Sequence, residues 1–167
     1  MPEFHPKAIL RTLVDREVDF VLIGGLAGMA HGSAYPSFDV DIAYERGTEN
    51  LERLASALQD LQATLRGAPP ELPFVIDAKT LANGAHFSFQ TPFGSLDILT
   101  DPDVAPPYVH LRRAAGEPVE LEGERVLVAS LDHLIAMKEA AGRPKDKLMA
   151  TEYRVLSDEL RAPRASS

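Results

Sequence analysis

The chain has 167 residues, is 45% hydrophobic and carries a formal charge of −8, which suits one globular domain with a real core. It has no cysteine, so disulfide frameworks and thiolate zinc sites are excluded. The negative charge excludes a broad electrostatic grip on nucleic acid as the main binding mode.

No apolar run approaches the roughly 18–20 residues of a membrane span, and Met1 to Leu10 lacks the apolar core of a secretion signal. These features predict a soluble, cytoplasmic protein with no membrane partner. No internal repeat or low-complexity segment is present.

Residues 6–16 read as a helix. Asp19 to Ile23 (DFVLI) reads as a short strand ending at Gly24-Gly25, with a small-residue helix over Leu26 to His31 starting at those glycines. Phe38 to Ala43 (FDVDIA) alternates, which puts Phe38, Val40 and Ile42 on one face and Asp39 and Asp41 on the other. Leu51, Leu54, Ala55, Leu58, Leu61 and Leu65 form a helical stripe. Gly67 to Pro73 breaks the pattern, and Phe74 to Ile76 is expected to be a strand.

His86 to Gln90 and Ser95 to Thr100 flank Thr91-Pro-Phe-Gly94 as a hairpin. A short helix is expected over 106–115, then two short strands near Val119 and Val126 to Val128 with Glu122-Gly123 as the turn. Ser130 is placed to N-cap a helix over Leu131 to Ala141, Gly142 ends it, and Pro144 opens a last helix to about Leu160. The reading is an α/β (α+β) fold: a mixed sheet with flanking helices and C-terminal helices. Residues 1–160 form the domain, and 161–167 (RAPRASS) a flexible tail.

Asp39 and Asp41 carry the chemistry. Two residues apart on a strand, their side chains stand roughly 6.5–7 Å apart on one face. Paired carboxylates repel unless a cation or water sits among them, and oxygen-rich sites suit Mg²⁺ or Mn²⁺. Asp97 in Ser95-Leu-Asp-Ile-Leu99 is the expected third acid, with Asp77 as its competitor and Asp101 and Asp103 as loop acids. A strand, two glycines and a helix start also offer backbone N–H groups to phosphate. Together these are the parts of metal-assisted phosphoryl or nucleotidyl transfer.

The run Gly24-Gly25, His31-Gly32, Ser37-x-Asp39-x-Asp41 and a later strand aspartate resembles the DNA polymerase β-like nucleotidyltransferases. The stretch from Leu134 to Asp146 (LIAMKEAAGRPKD) is similar to the AbiEii-type bacterial proteins of toxin–antitoxin pairs, and the likeness spans roughly residues 20–156. This resemblance implies that Gly24 and Gly25 hold nucleotide phosphates. It implies that Asp39, Asp41 and Asp97 bind Mg²⁺ or Mn²⁺, with Asp97 helping to deprotonate the acceptor hydroxyl. Lys138 is expected to reach the phosphates, with Ser37, Lys145 and Asp146 in the same pocket. The implied partners are an NTP, a hydroxyl acceptor (a tRNA end, a protein or a small molecule) and a cognate toxin or antitoxin.

Two departures stand out. Relatives carry R-x-T-x-D-x-D, where this chain has Tyr35 and Ser37; serine keeps the hydroxyl, but tyrosine does not replace a guanidinium. The chain also lacks the length for the large helical domain of full AbiEii-type toxins. The alternative is therefore a catalytically inactive module of the same fold that binds nucleotide or protein.

Lys138 shares a helical face with Leu131, Leu134 and Ile135. Met29 and Met137 are expected in the core. His31 is expected to cap or pack, and His86, His110 and His133 to be structural. Asp132 suits a helix first turn. Arg112-Arg113 and the Arg143, Lys145, Lys147 cluster are the basic patches. No P-loop, GxSxG, GxGxxG or HExxH motif occurs.

Overall fold

The computed structural model describes residues 3–69 and 71–162. Helix α1 (Pro6–Asp15) precedes strand β1 (Phe20–Ile23), helix α2 (Gly24–Ala30) and strand β2 (Asp39–Tyr44). Helix α3 (Thr48–Asp60), strand β3 (Thr64–Leu65) and helix α4 (Ala78–Ala82) lead to the hairpin β4 (His86–Thr91) and β5 (Gly94–Leu99). Helix α5 (Tyr108–Ala115), the hairpin β6 (Val119–Leu121) and β7 (Glu124–Val126), and helices α6 (Leu131–Ala141) and α7 (Pro144–Arg161) complete the chain.

The main sheet has the order β1-β2-β5-β4-β3. Only β2 and β5 run parallel; the other neighbours are antiparallel. Alternation decides which side chains go inward. Val40, Ile42, Phe89, Leu96 and Ile98 are buried, in one core with Leu10 and Leu13 of α1 and Leu54 and Leu58 of α3. The residues between them in sequence face the other way, and that second face carries the acids.

Local chemistry sets the helix ends. Ser130 N-caps α6 by accepting from the His133 backbone N–H at 3.2 Å, and Gly142 closes it at φ 69°. Pro144 stands in the first turn of α7. Helix α3 stops one turn before the leucine stripe does. Gln62 adopts φ 54°, its N–H donates to the Gln59 carbonyl, and the Ala63 N–H donates to the Leu58 carbonyl. That pair of bonds is a Schellman closure, so Leu65 lies in β3 and not on the helix.

Two further expectations are corrected. Phe74 to Ile76 forms no strand. The Ile76 carbonyl is taken by Gln59 Nε2 at 2.8 Å, and the Phe74 ring packs at 6.2–6.3 Å from those of Phe87 and Phe89. The chain then enters α4, which sequence periodicity did not reveal in five residues. Met29 is 41% exposed and lies outside the core. Helix α7 continues through Arg161, which pairs with Asp132 at 3.1 Å; residues 163–167 of the expected tail lie outside the described residues. No described helix is long and apolar enough to cross a membrane.

Candidate active site

The parallel pairing of β2 with β5 places Asp41 directly opposite Asp97. Directly paired residues share a sheet face, so the two carboxyls stand side by side, within hydrogen-bonding reach of each other. Asp39 precedes them on the same face and is exposed. The Asp41 carboxyl is pushed up to about 7, first by its burial and then by Asp97 and Asp39, while Lys138 pulls it the other way. Among the described residues no three His, Asp or Glu side chains converge closely enough to hold a metal ion between them. The acids form an adjacent pair, Asp41 and Asp97, with Asp39 at the mouth.

Gly24 explains the Gly-Gly turn. It adopts φ 73°, and a Cβ there would overlap the Asp41 carboxylate. Only glycine lets the backbone pass this close to the acid. Gly25 lies against Ser37, whose Oγ would stand 3.0 Å from any Cβ added there. Ser37 Oγ in turn donates to the Asp39 carbonyl at 3.1 Å. The glycines, the serine and the acids are thus one packed unit, although 17 positions separate Gly24 from Asp41.

The third component comes from α6 and α7. Asp146 is a buried carboxylate, 2% exposed, that accepts from Arg143 Nε at 2.7 Å and faces Lys138 Nζ at 3.5 Å. The Arg143 hydrogen bond holds its carboxyl below the usual carboxylate range, helped by the charge of Lys138. A cavity of about 510 Å³ is lined by Gly25, Tyr35, Ser37, Asp39, Lys138, Arg143, Lys145 and Asp146, among others. One pocket therefore joins the front motif to the C-terminal stretch. Tyr153 of α7 packs so closely on Gly28 of α2 that a Cβ there would overlap its hydroxyl. This contact locks the two helices and holds α7 against the glycine turn.

The structure brings together Gly24, Gly25, Ser37, Asp39, Asp41, Asp97, Lys138, Lys145 and Asp146. It leaves out Asp77, which N-caps α4 by accepting from the Thr80 N–H at 2.8 Å, and His31, whose Nε2 lies 2.8 Å from the Ala129 carbonyl. Two site residues escaped the sequence reading. Arg66 donates from Nη2 to Asp97 Oδ1 at 3.1 Å and to the Phe89 carbonyl at 3.2 Å. Arg143 was read only as part of a basic cluster, yet it lines the pocket and holds Asp146 at 2.7 Å.

Comparison with solved structures settles the architecture. The crystal structure of ANT(2'')-Ia in complex with adenylyl-2''-tobramycin superposes with a TM-score of 0.57 at 18% identity, covering 93% of this chain and 86% of that one. This is a nucleotidyltransferase fold. The solution structure of the same antibiotic-resistance factor gives a TM-score of 0.56 at 17% identity over 92% of this chain and 80% of that one. TM1012 of Thermotoga maritima, described as a nucleotidyltransferase, gives 0.54 at 16% identity over 91% and 95%. No protein-family model and no curated protein sequence matches the chain.

Proposed function

We propose that the protein transfers a nucleoside monophosphate from an NTP to a hydroxyl acceptor. The observation that carries this reading is the cross-strand pair Asp41–Asp97, with Asp41 packed against the Gly24 backbone and within the field of Lys138, which shares a pocket with Asp39, Arg143 and Lys145.

The residues suit a divalent cation. Burial and two neighbouring acids lift Asp41 to about 7; three carboxyls lie on one sheet face with Lys138 near Asp41 and Arg66 on Asp97, an oxygen-rich set that suits a hard cation. Asp41 and Asp97, with Asp39 at the mouth, would hold Mg²⁺ or Mn²⁺. Such an ion supplies charge neutralisation at the transferred phosphate and acidifies the acceptor hydroxyl.

The chain's own groups do the rest. Lys138, Arg143 and Lys145 receive the β- and γ-phosphates, where negative charge grows as pyrophosphate leaves. Asp146 keeps Lys138 and Arg143 in place as a positioning residue. Ser37 Oγ and the Gly24-Gly25 backbone border the nucleotide. The acceptor oxygen forms its bond to the α-phosphorus as the bond to the pyrophosphate oxygen breaks, and Asp97 takes the acceptor proton. Arg143 lines the same pocket as Tyr35 and brings a guanidinium to it.

The AbiEii-like affinity, and with it a cognate toxin or antitoxin, is supported by the Leu134 to Asp146 stretch alone. The test is label transfer from each α-³²P-NTP, with Mg²⁺ or Mn²⁺ and a cell extract. Label on RNA, protein or a small molecule, absent with Asp39→Ala/Asp41→Ala, supports the reading. Neither label nor metal-dependent NTP binding by calorimetry overturns it.

A further inference from the structure

The sheet face that carries the acids continues past them. Asp41 pairs with Asp97, and Asp97 pairs with Ser88 on the next strand. The Arg66 backbone N–H then donates to the Ser88 carbonyl at 2.9 Å. A second row runs Asp39, Ser95, Gln90, Thr64. Asp41, Asp97, Ser88, Ser95 and Gln90 are half-buried, and Asp39, Thr64 and Arg66 are exposed. The acids occupy one end of an open polar face, and the edge at β3 occupies the other.

The chemistry of the far end differs from that of the near end. Beyond Asp97 the two rows present Ser88, Ser95, Gln90, Thr64 and Arg66: donors, acceptors and one guanidinium, with no carboxylate. Ser95 Oγ donates to Gln90 Oε1 at 3.0 Å, which fixes both side chains. Arg66 spends only Nη2, on Asp97 and the Phe89 carbonyl; among the described residues its Nε and Nη1 have no hydrogen-bond partner. A guanidinium with free N–H groups beside an acid centre is a seat for an anion, and phosphate matches its geometry best.

Building on the proposed nucleotidyl transfer, we infer that the acceptor binds across this face. It is a sugar hydroxyl whose molecule bears a phosphate, held by Arg66 with Ser88 and Gln90 contacting the sugar. Arg66 touches Asp97, so a phosphate on Arg66 leaves a neighbouring hydroxyl of the same molecule at Asp97.

The test is NMR on the full chain with Mg²⁺ and the non-hydrolysable α,β-methylene ATP. The amides of Arg66, Ser88 and Gln90 are followed during titration with ribose, ribose 5-phosphate, a ribotetranucleotide and tobramycin. Ribose 5-phosphate or the tetranucleotide moves these amides, binding at least about tenfold more tightly than ribose, in line with charge-assisted hydrogen bonds. The tighter of the two names the source of the phosphate. Arg66→Ala abolishes the difference and Arg66→Lys restores part of it. Equal affinity for ribose and ribose 5-phosphate, a preference for tobramycin, or a phosphate effect that survives both variants overturns the inference while the nucleotide analogue still binds. Failure of the analogue itself to bind overturns the transfer reading instead.

Discussion

Two carboxylates, Asp41 on the sheet and Asp146 on α7, are both sheltered from water, and the fold treats them in opposite ways. Asp146 has a guanidinium at 2.7 Å and an ammonium at 3.5 Å, and its carboxyl is held low. Asp41 has two other carboxylates near it and is pushed up to about 7. Burial alone raises a carboxyl; a matched cation reverses that. The protein contains the means to satisfy a buried acid and withholds it at Asp41. Uncompensated charge of this kind marks a functional site more often than a structural one.

The sharpest way to break the contrast is Asp41→Asn. Transfer activity should fall by at least about a thousandfold, since the group that holds the cation at the reacting phosphate is gone; label transfer under saturating NTP checks this. Next in size, Asp146→Asn should destabilise the fold by about 2 kcal/mol at neutral pH, because two cations lose a charged partner. Urea unfolding measures this. The sign follows from a lowered carboxyl: the stabilisation is present above the ordinary aspartate range and is lost as the pH falls through the folded value. The gap between variant and parent should therefore narrow only as the pH falls below the ordinary aspartate range. The same variant should raise the NTP KM more than it lowers kcat, since it frees Lys138 and Arg143 to move.

A smaller and opposite effect is expected from Asp41→Asn on stability. A raised carboxyl binds its proton more tightly in the folded state. The parent therefore loses stability as pH climbs from about 4 to about 7 and gains none back above that. In EDTA the variant should melt several degrees above the parent at pH 8 and level with it at pH 4, by calorimetry. Adding Mg²⁺ should raise the melting temperature of the parent but not of the variant. The smallest shift is the one read in the pH–rate profile of Lys138→Met, which removes the one nearby charge that lowers Asp41 and should also raise the NTP KM. The acid limb of the pH–rate profile should move to higher pH.

Much of this was legible in the sequence because it is local. Alternation named the inward residues of β2 and β5, and Ser130, Gly142 and Pro144 marked the ends of α6 and α7. Asp39, Asp41 and Asp97 were identifiable because polar residues punctuate apolar strands. What failed to show was contact across distance. The leucine stripe overran the end of α3 because the closing conformation at Gln62 has no side-chain signature. Arg66 reads as a solvated arginine in a turn; only the register of β3, β4 and β5 carries it to Asp97, 31 residues away. Phe74 to Ile76 has strand composition, but its backbone is claimed by a side chain of α3.

Leu22 of β1 is a mooring point. Its N–H donates to the Leu127 carbonyl and its carbonyl accepts from the Ala129 N–H, at 2.8 and 2.9 Å. That short parallel bridge ties the start of α6 to the first strand of the sheet. The glycine turn follows β1 directly, so the same two bonds set how far the cationic helices stand from the carboxylates. Leu22→Pro, which removes the donated N–H, would let the two sides of the pocket drift apart without altering any residue that lines it.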